Sequence, residues 1–417
     1  MTSNSLMPEG SVLTSDGWVV GSVEIAEKAI ASIRGRLLQR GESPKAPFII
    51  PGFVDLHVHG GGGADWQGGE EGVRAFVGFH ASHGTTAIAP TTATGAVPVI
   101  ERGLSAIASV AAMPGRGEPL VLGAHLEGPF LNPRKPGAMD PARMLEGDPA
   151  VAKRWADTCP IVVATVAPEI RGGYDVVRAL AASGCRVQIG HSAATAEEID
   201  RSFQCGCSGF THLFNAMTGV EHRAPGVAAY AMAKARYAEI ICDMIHVDPI
   251  VVLAARRAIP HLYAITDASA AGLPDGELEW GGHRIVKRGR RVTLTDGKTL
   301  AGSAITMLDA FRNLLSLGVS LEEAVEMTSR RQAEYLGRND LGRIEPGARA
   351  CLIRLGDSLD LEAVWVNGRS IPPARSGANS AAAASEPGSG DGAPRRDRCG
   401  RLHGASIACA SPEADEA

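Results

Sequence analysis

Two histidines separated by one residue, His57 and His59, follow a short apolar segment near the start of the chain. Because side chains alternate between the two faces of a β-strand, both imidazoles are predicted to point to the same side. Held at the end of a buried strand, two such imidazoles can bind one divalent metal ion. A lone His-x-His pair is equally consistent with two incidental histidines, so the rest of the chain has to decide between these interpretations.

Four other apolar segments of the chain also end in a histidine or a carboxylate. The terminal residues are Glu127, His191, His212 and Asp267. One polar residue at a strand end is commonly a cap or a hydrogen-bonded polar group, but five such segments are hard to attribute to chance. Imidazole and carboxylate ligands are typical of catalytic metal sites that keep a coordination position open. The sequence therefore predicts a catalytic site for a divalent metal.

Composition narrows the class of protein. The chain has 417 residues, 45% of them hydrophobic, and its formal net charge of −5 argues against a general nucleic-acid-binding role. No apolar stretch approaches the roughly 20 residues that span a bilayer, and the N-terminus lacks the pattern of a signal peptide. The eight cysteines are scattered, which favours reduced thiols. We therefore expect a cytoplasmic globular enzyme that binds neither nucleic acid nor membrane.

The middle of the chain alternates short apolar runs with helix-like segments. The predicted strands are residues 49–57, 85–91, 119–126, 161–167, 186–190, 208–212, 238–243 and 262–266. The predicted helices between them are residues 71–82, 97–112, 173–183, 195–204 and 247–258. Eight such alternations predict an α/β fold, a parallel (β/α)8 TIM-like barrel, whose catalytic groups lie at the carboxyl ends of the strands. All the candidate ligands fall at such ends.

The two ends of the chain differ from this middle. β-like runs in residues 1–52 and 340–373 predict a small β-sandwich domain built from both termini, with the barrel formed by residues 53–339. A polar, glycine-rich insertion (about 272–300) follows the eighth strand, and helices near 304–317 and 321–336 follow the insertion. Residues 374–417 have too few large apolar side chains to form a core, so we expect a disordered tail.

A series of linked motifs occurs in a fixed order along residues 10–370. The motifs are Pro-Gly-Phe-Val-Asp-Leu-His-Val-His-Gly (51–60), His-Leu-Glu-Gly-Pro-Phe (125–130), Gly-His-Ser (190–192), Thr-His-Leu-Phe-Asn-Ala-Met (211–217), His-Val-Asp (246–248), Thr-Asp-Ala (266–268) and Leu-Ala-Gly-Ser (300–303). With them the chain resembles the N-acetylglucosamine-6-phosphate deacetylases of the amidohydrolase superfamily. The resemblance implies hydrolysis of an amino-sugar phosphate in amino-sugar catabolism, and a homodimer.

The resemblance also implies roles for the candidate ligands. Glu127, His191 and His212 would hold the metal common to the family, and His57 and His59 would hold a second. The cofactor is then one or two divalent ions per chain, Zn²⁺ or Fe²⁺, with Glu127 bridging when both are present.

The remaining catalytic and substrate-binding roles are implied in the same way. Asp267 would be the base that activates water and then the acid that protonates the leaving amine. Asn215, Ala216, Arg223 and His246 match positions that face the sugar phosphate in the family, and a guanidinium suits that task because it binds phosphate bidentately.

One position departs from the family pattern. Met139 stands where the family usually has a histidine that polarises the acetyl carbonyl. A thioether cannot donate a hydrogen bond, and losing one oxyanion donor typically costs about 10²–10³ in rate. Three alternatives follow: the metal polarises the carbonyl, another group replaces the histidine, or the activity has shifted.

Two other functions compete with deacetylation of N-acetylglucosamine 6-phosphate. One is deacylation of a related N-acyl amino sugar such as N-acetylgalactosamine 6-phosphate. This sugar differs from N-acetylglucosamine 6-phosphate only in the orientation of one hydroxyl group. The other is a catalytically idle relative retained for binding. The complete set of predicted ligands argues against the idle relative, and Met139 argues for it.

Overall fold

Eight parallel strands form the centre of the molecule in a computed structural model that describes residues 5–6, 10–280 and 282–374. These barrel strands, β1 to β8, are Phe53–Val58, Thr85–Thr92, Ala124–Glu127, Ile161–Val166, Arg186–Ile189, Cys207–Phe210, Tyr237–Ile241 and His261–Ile265. Strands β1 to β6 pair in sequence order, and β7 pairs with β8, all in parallel.

Backbone hydrogen bonds at the carboxyl ends of the strands complete the ring. Leu213 N–H donates to Glu239 O at 2.8 Å, which joins the end of β6 to β7. Asp267 N–H donates to His57 O at 2.9 Å, which joins the end of β8 to β1. The predicted parallel barrel is therefore confirmed.

Eight helices, α1 to α8, connect or follow the barrel strands. They are Gly69–Ser82, Val97–Ala112, Pro149–Thr158, Gly173–Ala182, Ala196–Cys205, Val227–Lys234, Pro249–Ala258 and Met307–Ser316. Helices α3 and α6 were not predicted from the sequence. The Asp148-Pro149 pair that begins α3 is an N-terminal signal, since Asp148 accepts hydrogen bonds from Ala150 N–H and Val151 N–H. Helix α6 has no such signal, because its first turn follows Gly226 without a side-chain cap.

Two predicted strands are each divided by a glycine. The segment predicted as one strand at 49–57 forms Phe48–Pro51, in the terminal sheet, and β1 of the barrel. Gly52 separates them at a close approach, since a Cβ there would lie 2.2 Å from Thr86 Cγ2. Likewise the segment predicted at 119–126 is divided at Gly123, whose φ of 135° no other residue readily adopts.

Strands from both ends of the chain form a second sheet, as predicted. Its eight strands are Ser5–Leu6, Gly10–Thr14, Gly17–Ala26, Ala29–Leu37, Phe48–Pro51, Leu352–Leu355, Leu361–Val366 and Arg369–Ile371. Hydrogen bonds join all eight into one sheet with its own hydrophobic cluster, which includes Val12, Val23 and Leu352. The boundaries of a separate domain stay a prediction, because the described residues group as one compact unit. The predicted tail lies outside the described residues apart from Ala374.

The insertion after β8 is folded rather than irregular. Gly276–Trp280, His283–Arg288 and Arg291–Leu294 form an antiparallel three-stranded sheet. After α8 the helix predicted at 321–336 is divided into Leu321–Val325, a π-helical turn Glu326–Arg330, and Arg331–Tyr335. Among the described residues, no helix combines the length and the apolar character needed to cross a membrane.

Candidate metal centre and active site

The six residues predicted as metal ligands or acid/base meet at the carboxyl end of the barrel. His57 lies within β1, and Glu127 is the last residue of β3. The others follow β1, β5, β6 and β8 by one or two residues; they are His59, His191, His212 and Asp267.

Three of these residues have a backbone conformation that differs sharply from that of the strand before them. The φ angles of His191, His212 and Asp267 are 47°, 26° and 50°, in the left-handed region that non-glycine residues rarely adopt. Such strain persists only where the surrounding structure fixes it, and it is concentrated at functional sites.

Glu127 lies between two pairs of histidines. Its Oε2 atom lies 3.4 Å from His57 Nε2 and 3.1 Å from His59 Nε2. Its Oε1 atom lies 3.2 Å from His191 Nε2 and 3.0 Å from His212 Nε2. We call the histidines and oxygen on the His57 side the first half-site, and those on the His212 side the second half-site. Each supplies two imidazoles and one carboxylate oxygen.

The buried negative charge of this cluster favours the binding of cations. Glu127, Glu239 and Asp267 are 2%, 0% and 9% exposed, and among the described residues their ion-pair partners within 4.0 Å are all histidines. Buried carboxylates without lysine or arginine partners are costly unless they coordinate metal. In each half-site the ligand atoms lie within 4.8 Å of one another, so the residues present fit one divalent ion in each.

The carboxylates and histidines of the first half-site shift one another's pKa values. Burial lowers the pKa of His59, but hydrogen bonds to Asp267 and Glu127 outweigh burial and raise it to about 9. In the opposite sense, burial raises the pKa of Asp267, but His57 and His59 outweigh burial and lower it to about 2. Asp267 is therefore ionised at neutral pH, as a proton acceptor must be.

Hydrogen bonds to Nδ1 orient three of the four histidines. His59 Nδ1 lies 3.1 Å from Thr91 O, and His191 Nδ1 lies 2.9 Å from Lys135 O. His57 Nδ1 lies 3.0 Å from Glu239 Oε2. In a neutral imidazole with its proton on Nδ1, Nε2 would present its lone pair to an ion in the cluster.

A cavity of about 290 Å³ opens beside the two half-sites. Most of the predicted site residues line it, namely His59, Glu127, Met139, His191, His212, Asn215, Ala216, His246 and Asp267. Residues that the sequence analysis missed include Trp280, Lys298, Thr299 and Leu300, from the insertion or just after it.

Two predicted residues are not part of this lining. His57 is fully buried within β1. Arg223 is exposed in the segment before α6, and its role at a sugar phosphate stays a prediction.

His246 faces the cavity with its ring fixed from behind. His246 Nδ1 lies 2.7 Å from Asp243 Oδ2. Burial lowers the pKa of His246, but Asp243 outweighs burial and raises it. An imidazole held in this position suits an anionic or hydroxyl-bearing ligand.

The loop that carries Met139 packs directly on the second half-site. Gly137, with a φ of 58°, lies so close that a Cβ would be 3.1 Å from His191 Cε1. Met139 N–H donates to Pro136 O at 3.0 Å, which closes the turn and leaves the thioether at the cavity wall. Met139 thus lies beside the cluster, where a substrate contact was predicted.

A parallel α/β barrel with buried imidazole and carboxylate ligands at its carboxyl end defines a class of metal-dependent hydrolases. The comparison with protein families agrees, since the amidohydrolase family model matches residues 48–371. The chain belongs to the amidohydrolase family.

Two relatives of this chain are named for specific deacetylase activities. The chain is 34% identical over 367 residues to the N-acetylgalactosamine-6-phosphate deacetylase of Escherichia coli O157:H7, with 86% of this chain and 97% of the relative covered. It is 31% identical to the N-acetylglucosamine-6-phosphate deacetylase of Mus musculus, with 89% of this chain and 94% of the relative covered.

A solved structure agrees with these relatives. The N-acetyl-D-glucosamine-6-phosphate deacetylase of Mycobacterium smegmatis, as an aspartate-to-alanine variant in complex with N-acetyl-D-glucosamine-6-phosphate, superposes with a TM-score of 0.81 at 29% identity. The superposition covers 88% of this chain and 99% of that one.

Proposed function

We propose that this chain hydrolyses the acetamide of N-acetyl-D-glucosamine 6-phosphate, giving glucosamine 6-phosphate and acetate. The observation that carries the proposal is the position of Glu127 between two histidine pairs, with Asp267 beside them and a cavity of about 290 Å³ open to the cluster. Relatives of similar length that bear the name of this activity support it.

The cofactor in this proposal is one or two divalent ions, Zn²⁺ or Fe²⁺, since imidazole suits both. Glu127, His191 and His212 would hold one ion, and His57 and His59 would hold the other, with Glu127 shared. A bound ion supplies a Lewis acid for the acetyl carbonyl and lowers the pKa of water to about 7.

Asp267 acts as the proton carrier. Its Oδ1 atom lies 3.2 Å from His59 Nε2, at the edge of the first half-site and on the cavity wall. Asp267 is ionised at neutral pH, so its carboxylate is free to accept the proton of the attacking water. It then returns that proton to the amine nitrogen as the C–N bond breaks, so that the amine leaves neutral.

Recognition of the sugar phosphate falls to the polar groups of the cavity wall. His246 is fixed by Asp243, and Asn215 is held by donating to His212 O at 3.1 Å. Lys298 is the one lysine in the lining, and its ammonium group provides the positive charge that a 6-phosphate requires. Arg223, outside the lining, is a second candidate for that contact.

Met139 supplies an apolar wall rather than a donor, because a thioether has no proton to give. An active site without a histidine at this position relies on the other groups of the cluster for the developing oxyanion. We therefore expect a lower turnover than that of an otherwise similar site with histidine.

N-Acetylgalactosamine 6-phosphate is the second candidate substrate. The Escherichia coli O157:H7 relative at 34% identity is named for that activity, which favours this epimer over other N-acyl sugars. The homodimer implied by the family resemblance and the cytoplasmic location expected from the composition remain predictions.

Acetate release from a panel of sugars tests the proposal. The panel contains both N-acetylhexosamine 6-phosphates and the two unphosphorylated sugars, each before chelation, after exhaustive chelation and after Zn²⁺ or Fe²⁺ is restored. We expect turnover of a phosphorylated sugar that chelation abolishes and metal restores. Full activity in the metal-free protein, or acetate release from no sugar, would refute the proposal.

A further inference from the structure

Glu239 is a buried carboxylate that the proposed reaction does not use. It lies on β7, is fully buried, and among the described residues its ion-pair partner is His57. A carboxylate placed in a barrel core without lysine or arginine is costly, so its surroundings have to account for it.

One oxygen of Glu239 contacts both half-sites. Its Oε2 atom lies 3.0 Å from His57 Nδ1 and accepts the backbone N–H of His212 at 3.2 Å. His57 provides a side chain of the first half-site, and His212 provides one of the second. A single carboxylate atom thus links the two histidine pairs from the side opposite the cavity.

The other oxygen is held by a buried chain of hydrogen bonds. Tyr263 Oη donates to Glu239 Oε1 at 3.4 Å, and Gln188 Nε2 donates to Tyr263 Oη at 2.6 Å. Thr211 Oγ1 in turn donates to Gln188 Oε1 at 2.9 Å. Burial and the nearby Glu239 raise the pKa of Tyr263 well above its usual range, so the phenol stays a donor.

Because Glu239 accepts, the ring of His57 must donate from Nδ1. That fixes the tautomer and leaves the Nε2 lone pair facing Glu127 Oε2, 3.4 Å away. Without the acceptor, the proton could sit on Nε2, and His57 would then be unable to bind an ion on the cavity side.

Glu239 is not itself suited to be a ligand. It forms a potential three-residue group with His57 and His125. Both nitrogens of His125 are engaged, however, with Leu56 O at 2.8 Å and with Thr165 Oγ1 at 2.8 Å. No lone pair of His125 remains for an ion there.

We propose that Glu239 is a positioning residue that fixes His57 as an Nε2 ligand and thereby determines how tightly the first half-site binds its metal. This inference rests on the metal-dependent function proposed above. Its consequence is selective, since the second half-site loses only a contact to the His212 backbone.

Metal titration of the metal-free protein tests this selectivity. Co²⁺ is added to the parent, to Glu239→Leu, which removes the acceptor, and to Glu239→Gln, whose amide oxygen keeps it, and its visible absorption bands are followed at one and two equivalents. We expect two ions in the parent, and in Glu239→Leu a loss of affinity of about 10–100-fold for one ion with the other little changed, whereas Glu239→Gln should lose less. Tyr263→Phe is the matched control, because it removes the donor to Oε1 and leaves the contact with His57 in place.

Equal affinities in the parent and Glu239→Leu would overturn the inference, as would equal losses at both half-sites. A third ion in the parent that is lost in the variant would instead make Glu239 a ligand. A second measurement covers a variant that fails to fold. In the Zn²⁺-loaded parent, ¹⁵N spectra of labelled histidine should show a protonated Nδ1 on His57, and an unprotonated Nδ1 would overturn the inference.

The outcome is separable from that of the proposed function. If the parent releases acetate from the sugar phosphates but Glu239→Leu binds both ions as tightly as the parent, the positioning role fails and the function stands. If the metal titration behaves as expected but no sugar is hydrolysed, the function fails and the positioning role stands.

Discussion

The Thr266 hydroxyl donates a 2.6 Å hydrogen bond to Oδ2 of Asp55, inside the barrel core. Thr266 N–H also approaches Asp55 Oδ1 at 3.3 Å. Both bonds join the end of β8 to β1, one residue before Asp267. The backbone that presents the proposed proton carrier is therefore anchored to the strand that carries His57.

Replacing Thr266 with valine should destabilise the protein and slow it. The variant keeps the side-chain shape but leaves a buried carboxylate oxygen without its donor, at a cost of about 1–3 kcal/mol. Urea unfolding measures the stability, and kcat on the sugar phosphate reports the position of Asp267. Thr266→Ser, which restores the hydroxyl, is the control. Unfolding free energies that agree for the parent and the valine variant would show that the bond contributes little.

Asp267→Asn should abolish most turnover while leaving the metal bound. An amide cannot carry the proton from water to the amine, although it occupies the same volume. Steady-state acetate release and metal content per chain are measured on the same sample. Near-normal turnover at unchanged metal content would remove Asp267 from the role of acid/base.

Lys298→Ala should reduce kcat/KM on the 6-phosphate by about tenfold or more, because a charge-assisted hydrogen bond is lost. The same change should leave any hydrolysis of the unphosphorylated sugar almost unaltered. Arg223→Ala is made in parallel, because Arg223 is an exposed cation outside the cavity lining, whereas Lys298 is part of the lining. A larger phosphate-specific loss in the arginine variant would reverse the assignment.

Met139→His should raise kcat on N-acetylglucosamine 6-phosphate, by a factor of at most about 10²–10³. A restored donor acts on the developing oxyanion more than on the ground state, so KM should change less. Met139→Leu is the control for altered packing of the loop on His191. A folded, metal-loaded histidine variant slower than the parent would point to a different acyl group.

His80 should make stability depend on pH. Its ring is buried with Nε2 3.0 Å from Gly60 O, and burial lowers its pKa from 6.5 to about 4. The unfolded chain takes up a proton below pH 6.5 while the folded protein does not. Stability from this group is therefore complete above that pH and is lost as the pH falls toward 4.

The measurement is the free energy of unfolding at pH 5 and pH 7 for the parent and for His80→Gln. Glutamine keeps a donor for Gly60 and does not titrate, so the variant should lose less stability between the two values. Identical losses would show that His80 does not contribute to the pH dependence.

Strand ends and ligand types were predictable because both depend on local sequence. The apolar runs before Glu127, His191, His212 and Asp267 are short and distinct, and the barrel rule assigns their ends to one face. Helix α6 was not predictable on the same basis, since it is eight residues long and lacks a capping side chain.

Glu239 and Lys298 were missed for a different reason. Glu239 interrupts an apolar strand, which is a signal of a buried charge, but its partners are distant in sequence. Lys298 belongs to a glycine-rich segment that gave no strand pattern, and its place at the cavity depends on how the three-stranded insertion folds over the barrel. Neither position follows from spacing alone.

The pairing of Phe48–Pro51 with Leu352–Leu355 has a consequence for biosynthesis. Roughly 300 residues must emerge from the ribosome between these two strands, which takes tens of seconds at about 5–20 residues per second. Throughout that interval the nascent N-terminal sheet presents an unpaired edge, which is where strands of neighbouring chains associate. The barrel is thus synthesised entirely before its flanking sheet can be completed.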